Sequence, residues 1–310
     1  MRYCLVTGGA GFIGSHLVEH LLRDGWRVRV IDNLSTGKTS NLKSLTNQID
    51  FIQGNINDAS ILRPAIAGCD VVFHLAALPS VARSLVDPMT THEVCATGTL
   101  SVLDAARQMG VRRVIYAASS SAYGGTPGAL RSETDPIAPL SPYASSKLSG
   151  ELYCQSFTTV YGLETVRLRF FNVFGPRQDA RSPYTGVIAL FIAAMLEGKR
   201  PLVQGDGLQS RDFTYVENAV QAVMRGADAP AAVGKVYNIG NGETTTVLQL
   251  VQHLNTILGV DLQPIPGPAR AGDVRHSQAN IALARQDLGY EPKVTFVEGL
   301  RRTVEAQRAQ

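Results

Sequence analysis

The sequence holds little that would staple, ligate or anchor it. Its four cysteines, Cys4, Cys69, Cys95 and Cys154, are scattered through 310 residues without a CxxC pair. That spacing argues against a zinc site or a disulfide scaffold and suits a reducing compartment. The six histidines form no ligand-spaced group except His16 and His20 on one helical stretch. No carboxylate motif joins them, so both read as packing or surface residues and no metal is expected. The longest strongly apolar run, Val187 to Leu196, falls far short of the ~20 residues of a membrane span. Neither sign of charge dominates. Against 26 Asp and Glu stand 29 Lys and Arg, a net +3, too small an excess to suggest nucleic-acid or polybasic membrane binding. The opening residues, Met1 to Val6, run into a strand and lack the regions of a signal peptide. A cytoplasmic location is expected.

What is present is alternation. The pattern predicts strands over Tyr3–Thr7, Arg27–Ile31, Asp50–Gln53, Val71–His74, Arg113–Ala117 and Thr165–Arg169. It predicts helices over Gly11–Arg23, Ala59–Ala67, Pro88–Met109 and Pro142–Tyr161. Strand–helix–strand order implies an α/β fold: a doubly wound parallel sheet with helices on both faces. After about Asn172 proline, glycine and polar residues cluster, and a stiff Gln263–Pro268 connector follows later. The expected division is 1–171 for the sheet domain and 172–310 for a smaller C-terminal α/β lobe. A segment near 213–239 is expected to return to the first domain.

Gly8-x-x-Gly11-x-x-Gly14 lies between a first strand and a first helix. A pyrophosphate needs backbone N–H donors at close range, which a Cβ would block. The helix start at Gly11, Phe12 and Ile13 adds its positive end, and Gly14 lets helix and strand approach. Asp32 follows Gly14 by eighteen residues, at the end of the second strand. A carboxylate there accepts ribose hydroxyls and repels a 2′-phosphate, so NAD is favoured over NADP. The reading is a Rossmann-type dinucleotide site.

Tyr143 precedes Lys147 by four residues, so the two share one helix face. A phenol ionises near pH ~10, and a neighbouring ammonium is expected to lower that value. Ser119, Ser120 and Ser121 follow a strand, where a hydroxyl can bond a substrate oxygen.

Together, the glycine turn, Asp32, the serine run and Tyr143-x-x-x-Lys147 resemble the extended short-chain dehydrogenase/reductase family over nearly the whole chain. The likeness is to its nucleotide-sugar 4-epimerases, of the UDP-glucose and UDP-N-acetylglucosamine type. The resemblance implies NAD-dependent C4 epimerisation through a transient 4-keto sugar. Tyr143 is then the proton-transfer group, Ser119 orients the C4 hydroxyl, and Lys147 holds the nicotinamide ribose. On the cofactor side it implies Asn33, Ser35, Thr36 and Gly37 in the ribose loop. Leu75, Ala76 and Ala77 follow His74 along the cofactor, with Phe170 near it. Asn55 and Ile56 fall near adenine, where the family usually carries Gly-Asp-Ile. Asn55 departs from that pattern, as Cys95 does where a structural Asn is common.

On the substrate side the resemblance implies Ser80, Ser121, Asn172 and Val187, with Tyr143 shared between cofactor and sugar. Arg211 and Arg270 would grip the diphosphate and Asp273 the ribose; two guanidiniums suit a pyrophosphate. Ser277 is small where the family varies a pocket residue, which favours acceptance of N-acetylated sugars. The serine run lacks the acid that dehydratases and decarboxylases carry. Related helices form a four-helix dimer interface, so Pro88–Met109 and Pro142–Tyr161 imply a homodimer. Competing readings are a UDP-glucuronate 4-epimerase, a net NAD-dependent oxidoreductase, and a non-catalytic dinucleotide-binding protein.

Overall fold

The computed structural model describes residues 2–180, 182, 185–268 and 274–309. Seven parallel strands form the main sheet: β1 (Tyr3–Thr7), β2 (Arg27–Asp32), β3 (Ile49–Gln53), β4 (Val71–His74), β5 (Arg113–Ser119), β6 (Glu164–Phe170) and β7 (Val236–Ile239). Their spatial order is β7-β6-β5-β4-β1-β2-β3. The chain winds outward from β1 to β3, then resumes on the other side at β4. In open α/β sheets ligands bind at the carboxyl ends of the strands beside such a reversal.

Successive residues of a strand face opposite sides, and here both sides are covered. Val6, Val30 and Phe73 belong to one core with Leu17 and Leu21 of the helix Phe12–Arg23 and Val220 of the helix Val216–Asp228. Leu5, Ile31 and Val72 belong to the other core, with Leu62, Val102, Leu103 and Phe157. The last four come from the helices Ala59–Ile66, Gly98–Gln108 and Pro142–Tyr161.

Local chemistry sets the helix ends. Ser141 caps Pro142–Tyr161 by accepting from the Ala144 N–H at 3.2 Å, and Pro142 starts the helix where its missing N–H costs nothing. Gly162 ends it in the left-handed conformation at φ +71°. The stretch expected as one helix, Pro88–Met109, is interrupted. It runs as Pro88–His92, a π-helical turn over Glu93–Thr97, and Gly98–Gln108. Periodicity does not reveal a π turn, because one extra residue shifts the register without breaking it.

A second, four-stranded sheet joins Thr245–Thr246, Ser210–Arg211, His276–Ala279 and Leu130–Arg131 in that order. Its last strand, Leu130–Arg131, comes from ahead of residue 171. The helices Val187–Leu196, Val247–Leu258 and Phe296–Arg308 pack together beside it. Among the described residues no helix is long and apolar enough to cross a membrane, and no group of His, Cys, Asp or Glu could hold a metal.

Candidate active site

The glycine turn is built where side chains do not fit. Gly8 has φ +70°, and a Cβ there would lie 2.8 Å from Ala76 Cα. A Cβ on Gly14 would lie 2.2 Å from the Gly8 carbonyl oxygen and 2.8 Å from Gly9 Cα. The helix that follows begins after Gly11 with no side-chain cap, so its first N–H groups stay available to an anion. Asp32, buried at the end of β2, accepts from the Ala10 N–H at 2.9 Å through one oxygen and from the Leu34 N–H at 2.8 Å through the other. An ionised carboxylate has about four acceptor positions, so two remain for a diol. Burial pushes this carboxyl above its usual range, and the two N–H bonds oppose the shift. Gly37 lies against it; a Cβ there would come within 2.8 Å of Oδ2. The cradle and the carboxylate fit the diphosphate and ribose of a dinucleotide.

The loop beyond β2 folds back on this turn. The Lys38 N–H and the Asn41 side chain both donate to the Ala10 carbonyl. Ser35 N–H donates to Asn33 Oδ1, while Asn33, Ser35 and Thr36 are exposed. Ile56 is buried. The Asn55 side-chain oxygen accepts from the Asn57 N–H at 3.0 Å, so one of its acceptor positions is already spent on its own turn.

At the end of β4 a buried chain of hydrogen bonds sets the next segment. The Ala76 N–H donates to Thr7 Oγ1 at 3.2 Å, and Thr7 Oγ1 lies 2.8 Å from His74 Nδ1. His74 Nε2 lies 3.0 Å from Thr99 Oγ1, which donates to the Cys95 carbonyl. That polarity is satisfied by a neutral imidazole protonated on Nε2. Burial, with the Lys147 charge adding to it, lowers the His74 pKa to about 3. Cys95, at the π turn, accepts at its Sγ from the Leu78 N–H at 3.5 Å. Leu75, Ala76 and Ala77 are thereby held at the carboxyl edge of the sheet, half-buried.

The proton-transfer candidates meet at the end of β5. Ser119 Oγ lies 2.8 Å from Ser121 Oγ, and the Ser119 hydroxyl bears on the Tyr143 side chain, favouring its ionised form. Lys147 is buried, with Nζ 4.3 Å from the centroid of the Tyr116 ring. Burial pulls its ammonium below the usual lysine range. Burial also pushes the Tyr143 phenol above its ordinary value; the nearby Ser119 hydroxyl pulls the other way. Burial is the largest influence on Tyr143, while the Lys147 ammonium lies against the Tyr116 ring.

One turn beyond Lys147 lies Glu151, paired with Arg169 of β6 at 2.7 Å, both buried. Arg169 Nη1 donates to the Tyr123 hydroxyl at 2.8 Å, which donates to Asn238 Oδ1 at 2.7 Å. This network fastens the Tyr143–Lys147 helix to β6 and β7. Sequence reasoning missed it. A Glu four residues after a Lys reads as an ordinary helix pair, and its partner lies eighteen residues away.

The substrate-side candidates gather around the second sheet. Arg211 and Ser277 are neighbours in parallel register. Arg211 Nη1 donates to the Ser210 and Arg275 carbonyls. Asn172, at φ +29°, donates from Nδ2 to the Asp212 carbonyl at 3.2 Å. Phe170 pairs in register with both Ser119 and Ile239. Val187 opens a helix after an uncapped Gly186. Ser80 is engaged in its own chain, where its hydroxyl accepts from the Arg83 N–H and caps the helix Val81–Val86. Arg270 and Asp273 lie outside the described residues.

Residues 4–240 match the model of the NAD dependent epimerase/dehydratase family. The chain belongs to that family. It is 39% identical to a UDP-glucose 4-epimerase of Mycolicibacterium smegmatis, with 97% of each chain covered. A structure of the UDP-glucose 4-epimerase of Thermotoga maritima with UDP-glucose superposes at a TM-score of 0.95, 39% identical, covering 99% of both chains. A UDP-N-acetylglucosamine 4-epimerase of Methanobrevibacter ruminantium, solved with UDP-N-acetylmuramic acid, also gives 0.95 and 39%, covering 100% of this chain and 99% of that one.

Proposed function

We propose that the protein interconverts UDP-hexoses at C4: UDP-glucose with UDP-galactose, and UDP-N-acetylglucosamine with UDP-N-acetylgalactosamine. The observation that carries this is Tyr143 placed beside Ser119, on the same helix face as the buried Lys147 and at the sheet edge that carries the glycine cradle and Asp32. The cradle and Asp32 hold NAD, with Leu75, Ala76 and Ala77 alongside. Bound NAD supplies a reversible hydride acceptor, so the cycle needs no outside oxidant.

Tyr143 takes the proton from the sugar C4 hydroxyl and gives it back. Ser119 orients that hydroxyl, and Ser121 holds the sugar. Lys147 supplies positive charge beneath the site. Arg211 and Asn172 anchor the diphosphate, so the sugar can turn while the nucleotide stays in place. The serine segment carries no carboxylate, which supports epimerisation over dehydration. Ser277 leaves room for an N-acetyl group.

We assign residues 1–171, with 213–239, to cofactor binding and the rest of 172–310 to the nucleotide sugar. We further propose a homodimer. Leu85, Val86 and Met89 are 64%, 79% and 76% exposed, a cost in water that a partner surface would remove. The helices that carry them pack beside Pro142–Tyr161, which exposes Leu152, Val160 and Tyr161. A two-fold contact of these helices would bury both sets. The four buried, unpaired cysteines suit a cytoplasmic enzyme.

Proton NMR of the anomeric region tests the activity. The purified protein, given UDP-glucose or UDP-N-acetylglucosamine and no added NAD, is expected to build a stable mixture of two C4 epimers from each. Silence with both sugars, with and without added NAD, would overturn the reading.

A further inference from the structure

Asp212 is fully buried, yet its carboxylate faces backbone N–H groups rather than a cation. Oδ1 accepts from the Asn241 N–H at 2.6 Å; Oδ2 accepts from Gly242 at 3.0 Å and Ala279 at 3.1 Å. Asn241 and Gly242 present successive N–H groups, with Gly242 at φ +78°, the geometry of a backbone anion nest. The Asp212 main chain is equally occupied. Its N–H donates to the Ser277 carbonyl at 2.9 Å, and its carbonyl accepts from Asn172 Nδ2 at 3.2 Å.

One residue thus ties four segments that are distant in sequence: the turn after β6, the strand Ser210–Arg211, the loop after β7 and the strand His276–Ala279. Three of them carry the side chains assigned above to the nucleotide sugar: Asn172, Arg211 and Ser277. The fourth is the loop that leaves the cofactor sheet. The space around the carboxylate is full: a Cβ on Gly240 would lie 2.6 Å from Oδ2 and 2.5 Å from Ala279 Cβ.

We infer that Asp212 is the positioning residue of the nucleotide-sugar site, holding Asn172, Arg211 and Ser277 in one constellation through its nest of backbone N–H groups. The inference rests on the proposed nucleotide-sugar reading. Asp212 touches neither Tyr143 nor Lys147 in its hydrogen bonding, so its effect falls on binding and spares the proton-transfer step. An amide cannot replace the carboxylate. Asn offers one oxygen, and its NH2 group would confront at least one of the three N–H donors.

The test compares wild type, Asp212→Asn and Gly240→Ala, which crowds the carboxylate without removing it. UDP binding is read by calorimetry, KM and kcat by epimerase assay, and NAD content after denaturation. The expected result is UDP binding weakened and KM raised at least ten-fold, more in Asp212→Asn than in Gly240→Ala. NAD content stays at the wild-type level and kcat moves by less than three-fold. UDP affinity and KM unchanged in both variants, or kcat lost while KM holds, would overturn the inference. If Asp212→Asn does not fold, Gly240→Ala alone decides by the same readouts. Failure of the functional reading looks different: wild type itself then shows no epimerisation.

Discussion

Lys147 and Tyr116 hold each other from both ends. The Lys147 ammonium lies 4.3 Å from the centroid of the Tyr116 ring, and the Tyr116 hydroxyl donates to the Lys147 carbonyl at 3.0 Å. Both side chains are buried. A desolvated ammonium is costly, and an aromatic face recovers part of that cost, about 2 kcal/mol when water is excluded. Tyr116 thus fixes the buried Lys147 on the helix that carries Tyr143. Tyr116→Phe keeps the ring and loses one buried hydrogen bond, about 1 kcal/mol of stability, with kcat near wild type. Tyr116→Leu removes the ring and is expected to lower kcat at least ten-fold. Steady-state kinetics with thermal melts separates the two effects.

Tyr143→Phe is expected to reduce turnover roughly 10²–10⁴-fold while NAD content is unchanged, the span attributed to a general acid–base group. The sign of the pH effect follows from burial. Because the phenol is held above its ordinary value, activity that needs the phenolate rises with pH from neutrality upward. Ser119→Ala removes the hydroxyl that favours the phenolate, so that limb moves further alkaline. A pH–rate profile of wild type and Ser119→Ala checks the direction.

Gly14→Ala is expected to abolish cofactor retention, since its Cβ would lie 2.2 Å from the Gly8 carbonyl oxygen. Gly25→Ala is the control. Gly25 also has positive φ, +76°, but nothing lies within 4 Å of a Cβ there. It is expected to cost about 1–2 kcal/mol from backbone strain alone and to keep the cofactor. NAD released on denaturation distinguishes them.

His74 makes the fold acid-sensitive. Its folded-state pKa is lowered to about 3, so below the ordinary value of 6.5 the unfolded chain binds a proton that the native state refuses. Stability is full above pH 6.5 and falls toward pH 3, by about 1.4 kcal/mol per pH unit. His16, hydrogen-bonded to the Pro176 carbonyl and lowered to about 4 by burial, acts in the same direction. Asp212 opposes them. Burial raises it to about 6, so the native state takes up its proton first and gains stability as pH falls from 6. Asp32 and Glu133, also raised by burial, act with Asp212, but the two histidines are displaced furthest, which leaves a net loss. Denaturant melts between pH 7 and 4.5 are expected to show it, and His74→Asn to reduce the slope.

Breaking the buried Glu151–Arg169 pair is expected to cost more than either residue's area implies. Glu151→Gln leaves a buried guanidinium without its counter-ion, about 3–5 kcal/mol. The double change to Glu151→Leu and Arg169→Met is expected to be milder, because no charge stays stranded. Chemical denaturation of both variants reads the difference.

What was legible in the sequence is what is local. The glycine turn, Asp32 at the end of β2 and Tyr143 one helical turn before Lys147 each lie within a few residues of what gives them meaning. The first six strands could be read to within two residues at either end, because a doubly covered strand is a continuous apolar run. The illegible features are distant or register-neutral. Val236–Ile239 falls in the segment expected to return to the first domain, though its place as the edge strand beside β6 was not legible. The π turn at Glu93–Thr97 preserves the apolar stripe on either side of it. Asp212 beside Arg211 reads as a neighbouring ion pair, and only the folded chain shows that its partners are three N–H groups from loops far along the sequence.

The most direct test of hydride transfer at C4 follows an isotope. UDP-glucose carrying deuterium at C4 is incubated with the protein in ordinary water, and the products are read by NMR and mass spectrometry while absorbance at 340 nm is watched. The expected product is UDP-galactose that keeps its C4 deuterium, with no free NADH accumulating, because hydride leaves and returns within one closed site. Deuterium lost to water, or NADH building up in step with an oxidised sugar, would contradict it.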